Sequence, residues 1–367
     1  MKKYKKYIVF GVLFLGSYLI GFVGGFLLAG LAKIRVRNEI VFDLHQQEDK
    51  LEVWNSYNIL LLGYGGEGHE GGYLSDVIIL LSIKPKEKKA VFISIPRDLW
   101  VEIPVRSDFK EHYKINAAYS IGNDDKNFPL KEPQYKGEYG GGAMAKKVVS
   151  QVVGFPVEYC IALDFSGFKD LIDSLGGVDV EVPVTFDDYF YPIKGRENDT
   201  CGKSSAEIAE LHEKFSDTQL HHQFECRYEH IHFDKGKTFM DGEKALKFVR
   251  SRASLEHGGD FARSQRQKYV ILAIKDKLLS LESIKNIDDF YLEFSKMLRT
   301  DIDLSVAREL FKVFGDPGEY ELNFLNLSTE NVLIETKSKD GQFILIPKEG
   351  EDVWVGVQKY LSEAKGS

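Results

Sequence analysis

The segment "SDVIILLSIKPKEKKAVFISIPRD", residues 75–98, contains two short apolar runs separated by a charged turn. The runs "VIILLSI" (77–83) and "KAVFISIP" (89–96) are rich in β-branched residues and nearly free of polar ones. Continuous apolar runs of this length are typical of strands that are buried on both faces of a sheet. The segment therefore predicts two strands of a largely buried sheet.

The rest of the chain alternates between strand-like and helix-like segments. "YNILLLG" (57–63), "YCIALDF" (159–165) and "VDVEVPV" (178–184) have the composition of strands. "GGAMAKKVVSQVVG" (141–154) and "SGFKDLIDSLGG" (166–177) repeat apolar residues at helical spacing and end on glycine. Interleaved strands and helices indicate the α/β class.

Residues 8–32 form an apolar stretch without a single charge. It is longer than the roughly 20 residues that a helix needs to cross a bilayer, so we expect an uncleaved transmembrane helix. A cleavable signal peptide is the alternative, but its apolar core would be only about 7–15 residues long. Lysines in the tail 1–7 favour a cytoplasmic N-terminus, although cations also follow the stretch. We expect a stem over 33–55 and one extracytoplasmic domain over 56–362.

Two nucleotide-related classes are disfavoured. The formal net charge of −8 argues against a general nucleic-acid binder, which needs a basic surface to neutralise phosphates. The segment "GYGGEG" (63–68) satisfies the G-x-G-x-x-G pattern, but a strand follows it. The dinucleotide motif requires a helix there, because the helix N-terminus binds the pyrophosphate. We therefore expect either a flexible connection or a loop at the rim of a site.

Charged residues stand at the ends of the two central strands. Asp76 precedes one apolar run, and Arg97 and Asp98 follow the other, where Pro96 ends the strand. Charges at strand ends of α/β sheets often face the ligand crevice. Solvated residues of an ordinary turn are the alternative interpretation.

Four arginines are concentrated around a Gly-Gly-Asp break: Arg250, Arg252, Arg263 and Arg266. Asp260 is a candidate N-cap of the helix that follows, and Arg263, Arg266 and Gln267 would share one face near its start. Cations at this positive helix end are unfavourable unless an anion is present. Because arginine binds phosphate oxygens in pairs, the cluster predicts a pyrophosphate site. An ordinary charged helix face is the alternative.

Residues 187–232 form a predicted insertion that is rich in aromatic and charged residues and holds five histidines. Cys201 and Cys226 also lie in it. Outside the membrane we expect these cysteines to form a disulfide or to stay free. Zinc binding is a further alternative, but the spacing fits no regular ligand pattern. Cys160, inside an apolar strand, is expected to be buried and inert.

Five segments occur in the order seen in the LytR-CpsA-Psr family of envelope proteins. They are "LSDVIILLSIKPKEKKAVFISIPRD", "KINAAYSIG", "FSGFKDLIDSLGGVDVEV", "MDGEKALKFVRSRAS" and "GGDFARSQRQ". The chain resembles this family closely over about 56–280. The resemblance implies a central mixed sheet flanked by helices and a membrane-anchored phosphotransferase. Such an enzyme moves a glycopolymer from a polyprenyl-pyrophosphate carrier onto peptidoglycan, and an apolar tunnel holds the prenyl chain.

The resemblance also implies roles for single residues. The implied catalytic residues are Arg97, Asp98 and Arg250. The implied pyrophosphate-binding residues are Arg97, Lys114, Arg250, Arg252, Arg263, Arg266 and Gln267. Asp76 is the implied ligand of Mg²⁺, with Mn²⁺ as the alternative ion.

One departure from the family pattern concerns the metal. Tyr64 or Gly65 stands about where the family usually has a metal-binding aspartate, in the loop after the first strand. Either Glu67 or Glu70 would replace that carboxylate, or Asp76 and the substrate phosphates alone would bind the ion, as magnesium tolerates.

The expected partners are a polyprenyl-pyrophosphate-linked glycan, peptidoglycan and the membrane, without nucleic acid. The expected location is the cell membrane, with one span and the C-terminal domain outside. Two other functions stay open. A hydrolase would cleave the lipid-linked pyrophosphate with water as acceptor, and a non-catalytic lipid-binding protein is favoured by the missing aspartate.

Overall fold

A computed structural model describes residues 56–68, 71–215, 217–279, 291–292 and 295–366. The predicted membrane helix over 8–32, the predicted stem over 33–55 and Glu70 lie outside these residues. Among the helices that the structure does describe, none combines the length and the apolar character needed to span a bilayer.

The described strands and helices alternate along the chain. The strands are β1 (Tyr57–Tyr64), β2 (Ser75–Lys84), β3 (Lys89–Ser94), β4 (Trp100–Arg106), β5 (Phe109–Lys114), β6 (Tyr159–Asp164), β7 (Val178–Val182), β8 (Phe186–Pro192), β9 (Tyr228–Phe233), β10 (Gly236–Met240), β11 (Arg299–Thr300), β12 (Glu321–Asn326), β13 (Leu333–Lys337) and β14 (Phe343–Pro347). The helices are α1 (Ala117–Asn123), α2 (Gly140–Val153), α3 (Phe165–Ser174), α4 (Ser205–Lys214), α5 (Asp217–His221), α6 (Gly242–Arg250), α7 (Gly259–Leu279), α8 (Leu304–Phe314) and α9 (Val355–Gly366).

The central sheet has the strand order β11-β6-β1-β2-β3-β12. β2 is antiparallel to both β1 and β3, whereas β6 is parallel to β1 and β12 is parallel to β3. The sheet is therefore mixed, as the family resemblance implied. The remaining strands form four two-stranded ribbons: β4 with β5, β7 with β10, β8 with β9, and β13 with β14.

Both faces of the sheet are buried. Alternate residues of a strand point to opposite faces, and here Ile59 and Leu60 belong to two different hydrophobic clusters. The cluster around Ile59 includes residues of α3, α6, α7 and α8. The cluster around Leu60 includes residues of α1, α2 and α9. This arrangement explains why the central strands are continuous apolar runs, and it confirms the α/β prediction.

One edge of the sheet collects the ends of several strands. Tyr64 at the end of β1 is paired with Asp164 at the end of β6 and with Ser75 at the start of β2. Ser94 at the end of β3 is paired with Asn326 at the end of β12. Because β2 runs antiparallel to its neighbours, its first residues lie beside their last ones. The loops that leave this edge therefore come from distant parts of the sequence.

Two local expectations can be compared with the structure. The next described element after the "GYGGEG" segment is β2 rather than a helix, as the sequence context predicted. The expected N-cap position of Asp260 is wrong, because α7 begins one residue earlier, at Gly259. Gly259 has a φ of +80°, a conformation that glycine adopts without steric cost and that allows the chain to turn into the helix there.

Candidate functional site

Asp76 and Arg97 form an ion pair at this edge of the sheet. Asp76 is the second residue of β2, and Arg97 follows β3 by three positions. Nη1 of Arg97 donates a hydrogen bond to Oδ1 of Asp76. The pairing of β2 with β3 places the two residues side by side, because the backbone N–H of Ile95 already donates to the carbonyl of Ile78 at 2.9 Å. The two strand-end charges predicted from sequence therefore do converge.

Asp98 extends this pair to a third strand. Nζ of Lys114, the last residue of β5, donates to Oδ1 of Asp98 at 2.7 Å. Nε of Arg97 lies 3.6 Å from the other carboxylate oxygen. The Asp98 side chain is only 13% exposed, so its negative charge depends on these two cations. The structure thus brings four predicted residues together in one network: Asp76, Arg97, Asp98 and Lys114.

The first turns of α7 lie next to the same strand end. Oγ of Ser264 is 3.4 Å from Oγ of Ser94, the last residue of β3. Arg263 precedes Ser264 and is partly buried, while Gln267, one turn later, is 9% exposed. This contact brings the arginine-rich helix start to the sheet edge that carries Arg97.

Arg250 reaches the edge from the end of α6. Its guanidinium carbon lies 4.1 Å from the ring centroid of Phe165, the residue that follows β6. Nη1 of Arg250 also donates to the hydroxyl of Tyr191 at 3.0 Å. Burial raises the pKa of Tyr191 to about 12, although Arg250 opposes the rise. The Tyr191 hydroxyl therefore stays protonated and acts as the acceptor that holds Arg250.

Arg252 and Arg266 take different positions. Arg252 is exposed on the loop after α6. Arg266 is 4% exposed and donates from Nη2 to the carbonyl of Ser251 at 2.7 Å and from Nη1 to the carbonyl of His257 at 3.0 Å. Burial lowers the pKa of Arg266 to about 10, and the carboxylate of Asp188 opposes the change. Arg266 supports the loop from inside, and its contact with a pyrophosphate stays a prediction.

Asp188 is a site residue that sequence reasoning missed. Its side chain is 1% exposed, and Oδ2 accepts hydrogen bonds from the Ser251 hydroxyl at 2.7 Å and from the backbone N–H groups of Arg252 and Ala253 at 3.1 and 3.0 Å. The sequence did contain a signal for this residue, since Asp187 and Asp188 are adjacent in an aromatic strand. Side chains alternate between the two faces of a strand, so one aspartate of such a pair is buried. Which member is buried depends on pairing with β9.

The carboxylates fit a magnesium site in part. Asp76 is 39% exposed and offers oxygen ligands, and magnesium is often held by one or two carboxylates plus substrate phosphates. Glu67 is exposed on the loop after β1, whereas Tyr64 is buried in the core. Two groups of possible ligand atoms lie close together among the described residues: Glu102 with His112 and Asp352, and Asp199 with Cys201 and Cys226, whose sulfurs are joined in a disulfide. Neither group includes Asp76, so the magnesium assignment stays a prediction.

The insertion carries the expected disulfide. Cys201 and Cys226 are bonded, with their Cα atoms 5.7 Å apart. Neither sulfur is therefore a thiolate that could bind zinc. Cys160 is buried in β6, as predicted, and burial raises the pKa of its thiol, which disfavours the reactive thiolate. On the outer face, Asp187 accepts from Nε2 of His230 at 2.6 Å and lies 2.8 Å from Nδ1 of His232.

A cavity of about 410 Å³ lies at the tip of the β4-β5 hairpin. Its lining includes Val105, Phe109 and Leu130. Trp100 and Lys114 pair at the other end of this hairpin, six positions along β4, or about 20 Å away at the rise of a strand. The cavity therefore does not adjoin the Arg97 network, and the apolar tunnel for a prenyl chain stays a prediction.

Known proteins resemble this chain over most of its length. The sequence profile of the LytR-CpsA-Psr family matches residues 33–351. The polyisoprenyl-teichoic acid–peptidoglycan teichoic acid transferase TagV of Bacillus subtilis is 26% identical over 305 residues, which cover 82% of this chain and 62% of TagV. The corresponding transferase TagT of the same organism is 30% identical over 261 residues, covering 70% and 63%. This chain thus spans less than two thirds of the length of these relatives.

Solved structures show the same architecture. The crystal structure of Bacillus subtilis TagV superposes with a TM-score of 0.54 at 25% identity, covering 84% of this chain and 97% of that chain. A Streptococcus agalactiae protein, gbs0355, superposes with a TM-score of 0.57 at 22% identity, covering 85% and 89%. The second likeness concerns the fold alone.

Proposed function

The chain belongs to the LytR-CpsA-Psr family, and we propose that it is a phosphotransferase that moves a glycopolymer from a polyprenyl-pyrophosphate carrier onto peptidoglycan. The observation that carries this proposal is the network around Arg97. There, two cations and two carboxylates from three strands meet at the sheet edge that also receives Arg250 and the start of α7. Its relatives include transferases of teichoic acid, which supports the same class of reaction.

The arrangement of charge suits a pyrophosphate. Arg97 and Lys114 come from one side of the edge, and Arg250 comes from the other. Arginine forks bind phosphate oxygens in pairs and keep their charge at any physiological pH. Fixed cations also stabilise the additional negative charge that develops on phosphate oxygens during transfer. Arg252, Arg263 and Gln267 would complete the contacts to the lipid headgroup.

The reaction would be a single displacement at phosphorus. An acceptor hydroxyl of peptidoglycan attacks the phosphorus next to the glycan, and the bond from that phosphorus to the bridging oxygen breaks. Polyprenyl phosphate leaves, and a phosphodiester joins glycan to peptidoglycan. The hydroxyl proton passes to a carboxylate, for which Asp98 is the candidate at this edge, with Asp76 as the alternative where it is not engaged with the metal. Arg97 orients both carboxylates, since it contacts each of them.

Asp76 and the pyrophosphate oxygens would hold Mg²⁺, or alternatively Mn²⁺, which would neutralise charge at the reacting phosphorus. The Asp76 side chain is 39% exposed, so its carboxylate is accessible to a metal ion. We further propose that residues 8–32 anchor the protein in the cell membrane with the catalytic domain outside. An anchor of this kind would keep the site close to a carrier whose prenyl chain lies in the bilayer.

The test uses purified polyprenyl-pyrophosphate-linked glycan with and without peptidoglycan, in the presence of Mg²⁺. If the protein is a transferase, glycan appears on peptidoglycan, and polyprenyl phosphate is released only when peptidoglycan is present. Equal release without peptidoglycan indicates the hydrolase. Binding without turnover indicates the lipid-binding protein.

The decisive variant is Arg97→Ala, which we expect to lower kcat/KM by roughly 1,000-fold because it removes a cation from the reacting phosphates. Arg106→Ala is the matched control. Arg106 also pairs with an aspartate, Asp108 at 3.2 Å, but it lies at the tip of the hairpin and is 48% exposed. Wild-type turnover in Arg97→Ala would contradict the assignment of the site.

A further inference from the structure

Asp188 is a buried charge that none of the recognised motifs contains. A buried carboxylate is costly unless hydrogen-bond donors surround it. Here four donors do so: the backbone N–H of Phe190 at 3.0 Å, the hydroxyl of Ser251, and the backbone N–H groups of Arg252 and Ala253. Three of these donors belong to consecutive residues of the loop after α6. The Asp188 carboxylate therefore fixes one short segment of the chain, residues 251–253.

Arg266 holds the same loop through its backbone carbonyls. Its two terminal nitrogens donate to the carbonyls of Ser251 and His257, at the two ends of the loop. Its guanidinium also lies 4.5 Å from the ring centroid of Phe186, two residues before Asp188. Ser251 is thus fixed twice, by its hydroxyl on Asp188 and by its carbonyl on Arg266. It is 1% exposed, so water does not compete for these contacts.

Ser251 stands between Arg250 and Arg252. Its φ of −52° and ψ of 131° are extended values, and consecutive residues of an extended chain point to opposite sides. The Arg250 side chain packs on Phe165 and the hydroxyl of Tyr191, whereas Arg252 is exposed. Fixing the backbone of Ser251 therefore fixes the directions in which both arginines leave the chain.

We infer that Asp188 and Arg266 are a positioning pair that holds Ser251 and thereby aims Arg250 and Arg252 at the pyrophosphate. The inference rests on the proposed function for the ligand, but the positioning itself is a property of the free protein. Groups that stabilise a transition state must be held within a fraction of an ångström, and a displacement of about 1 Å can cost a factor of about 100 in rate. In this arrangement Arg266 acts on the pyrophosphate through the positions of Arg250 and Arg252.

The first test needs no ligand. Asp188→Asn keeps the size of the side chain but replaces one acceptor oxygen by a donor and removes the charge. We expect the amides of Arg252 and Ala253 to exchange with solvent about ten times faster or more, because they lose their acceptor. Asp187→Asn is the matched control, since Asp187 is the neighbouring residue of β8 and faces the surface histidines instead. Its exchange at these two amides should equal that of the wild type.

The second test uses inorganic pyrophosphate with Mg²⁺ in isothermal titration calorimetry. We expect Asp188→Asn to bind it about 10 to 100 times more weakly, the range found when groups that orient a binding residue are removed. A double-mutant cycle with Arg252→Ala distinguishes positioning from general destabilisation. If Asp188 acts through Arg252, the losses in affinity are less than additive, whereas independent effects add.

The outcomes separate the two claims. Unchanged exchange at Arg252 and Ala253 in Asp188→Asn, or the same acceleration in Asp187→Asn, overturns the positioning pair. If Asp188→Asn does not fold, Ser251→Ala takes its place, because it removes the hydroxyl that donates to Asp188 and leaves the backbone donors. Slower or equal exchange at Arg252 and Ala253 in that variant also overturns the positioning pair. If the wild-type protein binds no inorganic pyrophosphate, the proposed function fails, while the exchange result still decides the positioning pair.

Discussion

Nζ of Lys114 lies 2.7 Å from Oδ1 of Asp98, which links the end of β5 to the turn after β3. The two residues are 16 positions apart and approach each other because the β4-β5 hairpin folds back on that turn. Backbone contacts support the approach: the N–H of Ile115 donates to the carbonyl of Leu99 at 2.7 Å. Backbone and side-chain contacts thus both hold this pair in the candidate site.

Lys114→Met should lower kcat/KM for glycan transfer by roughly 100-fold, because it removes a cation from the pyrophosphate region. It should also lower the free energy of unfolding by about 1 kcal/mol, since Asp98 loses a charged donor. Steady-state kinetics and denaturant titration measure the two effects. Lys110→Met is the control, because Lys110 pairs with Glu102 at 3.0 Å on the same hairpin but both side chains are exposed. Equal kinetics in the two variants would remove Lys114 from the site.

Tyr191→Phe tests how Arg250 is held. The change removes the hydroxyl that accepts from Arg250 but keeps the ring that the guanidinium contacts. We expect a loss of about tenfold in kcat/KM, in line with the loss of one hydrogen bond to a charged group, about 1.5 kcal/mol. Tyr189→Phe on the same strand serves as the comparison, because Tyr189 is 55% exposed and should tolerate the change. Wild-type kinetics for Tyr191→Phe would show that the hydroxyl does not orient Arg250.

Asp76→Asn tests the proposed metal ligand. Replacing a carboxylate by an amide weakens its interaction with a hard cation, so the Mg²⁺ concentration for half-maximal turnover should rise by at least about tenfold. Calorimetric titration of Mg²⁺ in the presence of inorganic pyrophosphate measures the same change without turnover. Asp108→Asn provides the reference, because Asp108 also pairs with an arginine but lies at the hairpin tip. If Asp76→Asn needs the same Mg²⁺ concentration as the wild type, the metal is bound by other ligands.

Reduction of the disulfide should destabilise the insertion. Cys201 and Cys226 are separated by 25 positions, and a closed loop of this length stabilises a fold by about 3 kcal/mol through the entropy of the unfolded chain. The Cys201→Ser/Cys226→Ser double variant should therefore melt at a lower temperature than the wild type and no longer respond to a reductant. Cys160→Ala should keep the full response to the reductant. A reductant-insensitive melting temperature in the wild type would contradict this prediction.

The histidine surface should make stability depend on pH. Hydrogen bonds to Asp187 and Asp234 raise the pKa of His232, and His232 and His230 lower the pKa of Asp187. A histidine with a raised pKa stabilises the fold fully below its unfolded value of about 6.5, and this contribution disappears as the pH rises through the raised value. We therefore expect the difference in melting temperature between wild type and His232→Gln to be larger at pH 5.5 than at pH 8. If the difference in melting temperature grows with pH instead, the sign assigned to the His232 contribution is wrong.

The local pattern of residues determined the secondary structure and much of the site. The apolar runs around residues 77–83 and 89–96 became β2 and β3 because a strand buried on both faces needs apolar side chains at every position. The same pattern located Asp76, Arg97 and Asp98 at strand ends. The helical spacing of 141–154 and 166–177 likewise appears as α2 and α3. These features depend on neighbours in sequence, so the sequence is sufficient to predict them.

Tertiary structure decided which charges face the site and which support it. Arg263 and Arg266 differ by three positions and look alike in sequence, yet Arg266 is buried against a loop and donates to its carbonyls. Asp188 and Ser251 are 63 positions apart, and their contact depends on how β8 and the end of α6 pack together. A charged side chain becomes structural only when its partners arrive from elsewhere in the chain. The periodicity of one segment does not identify those partners, because packing across the core determines them.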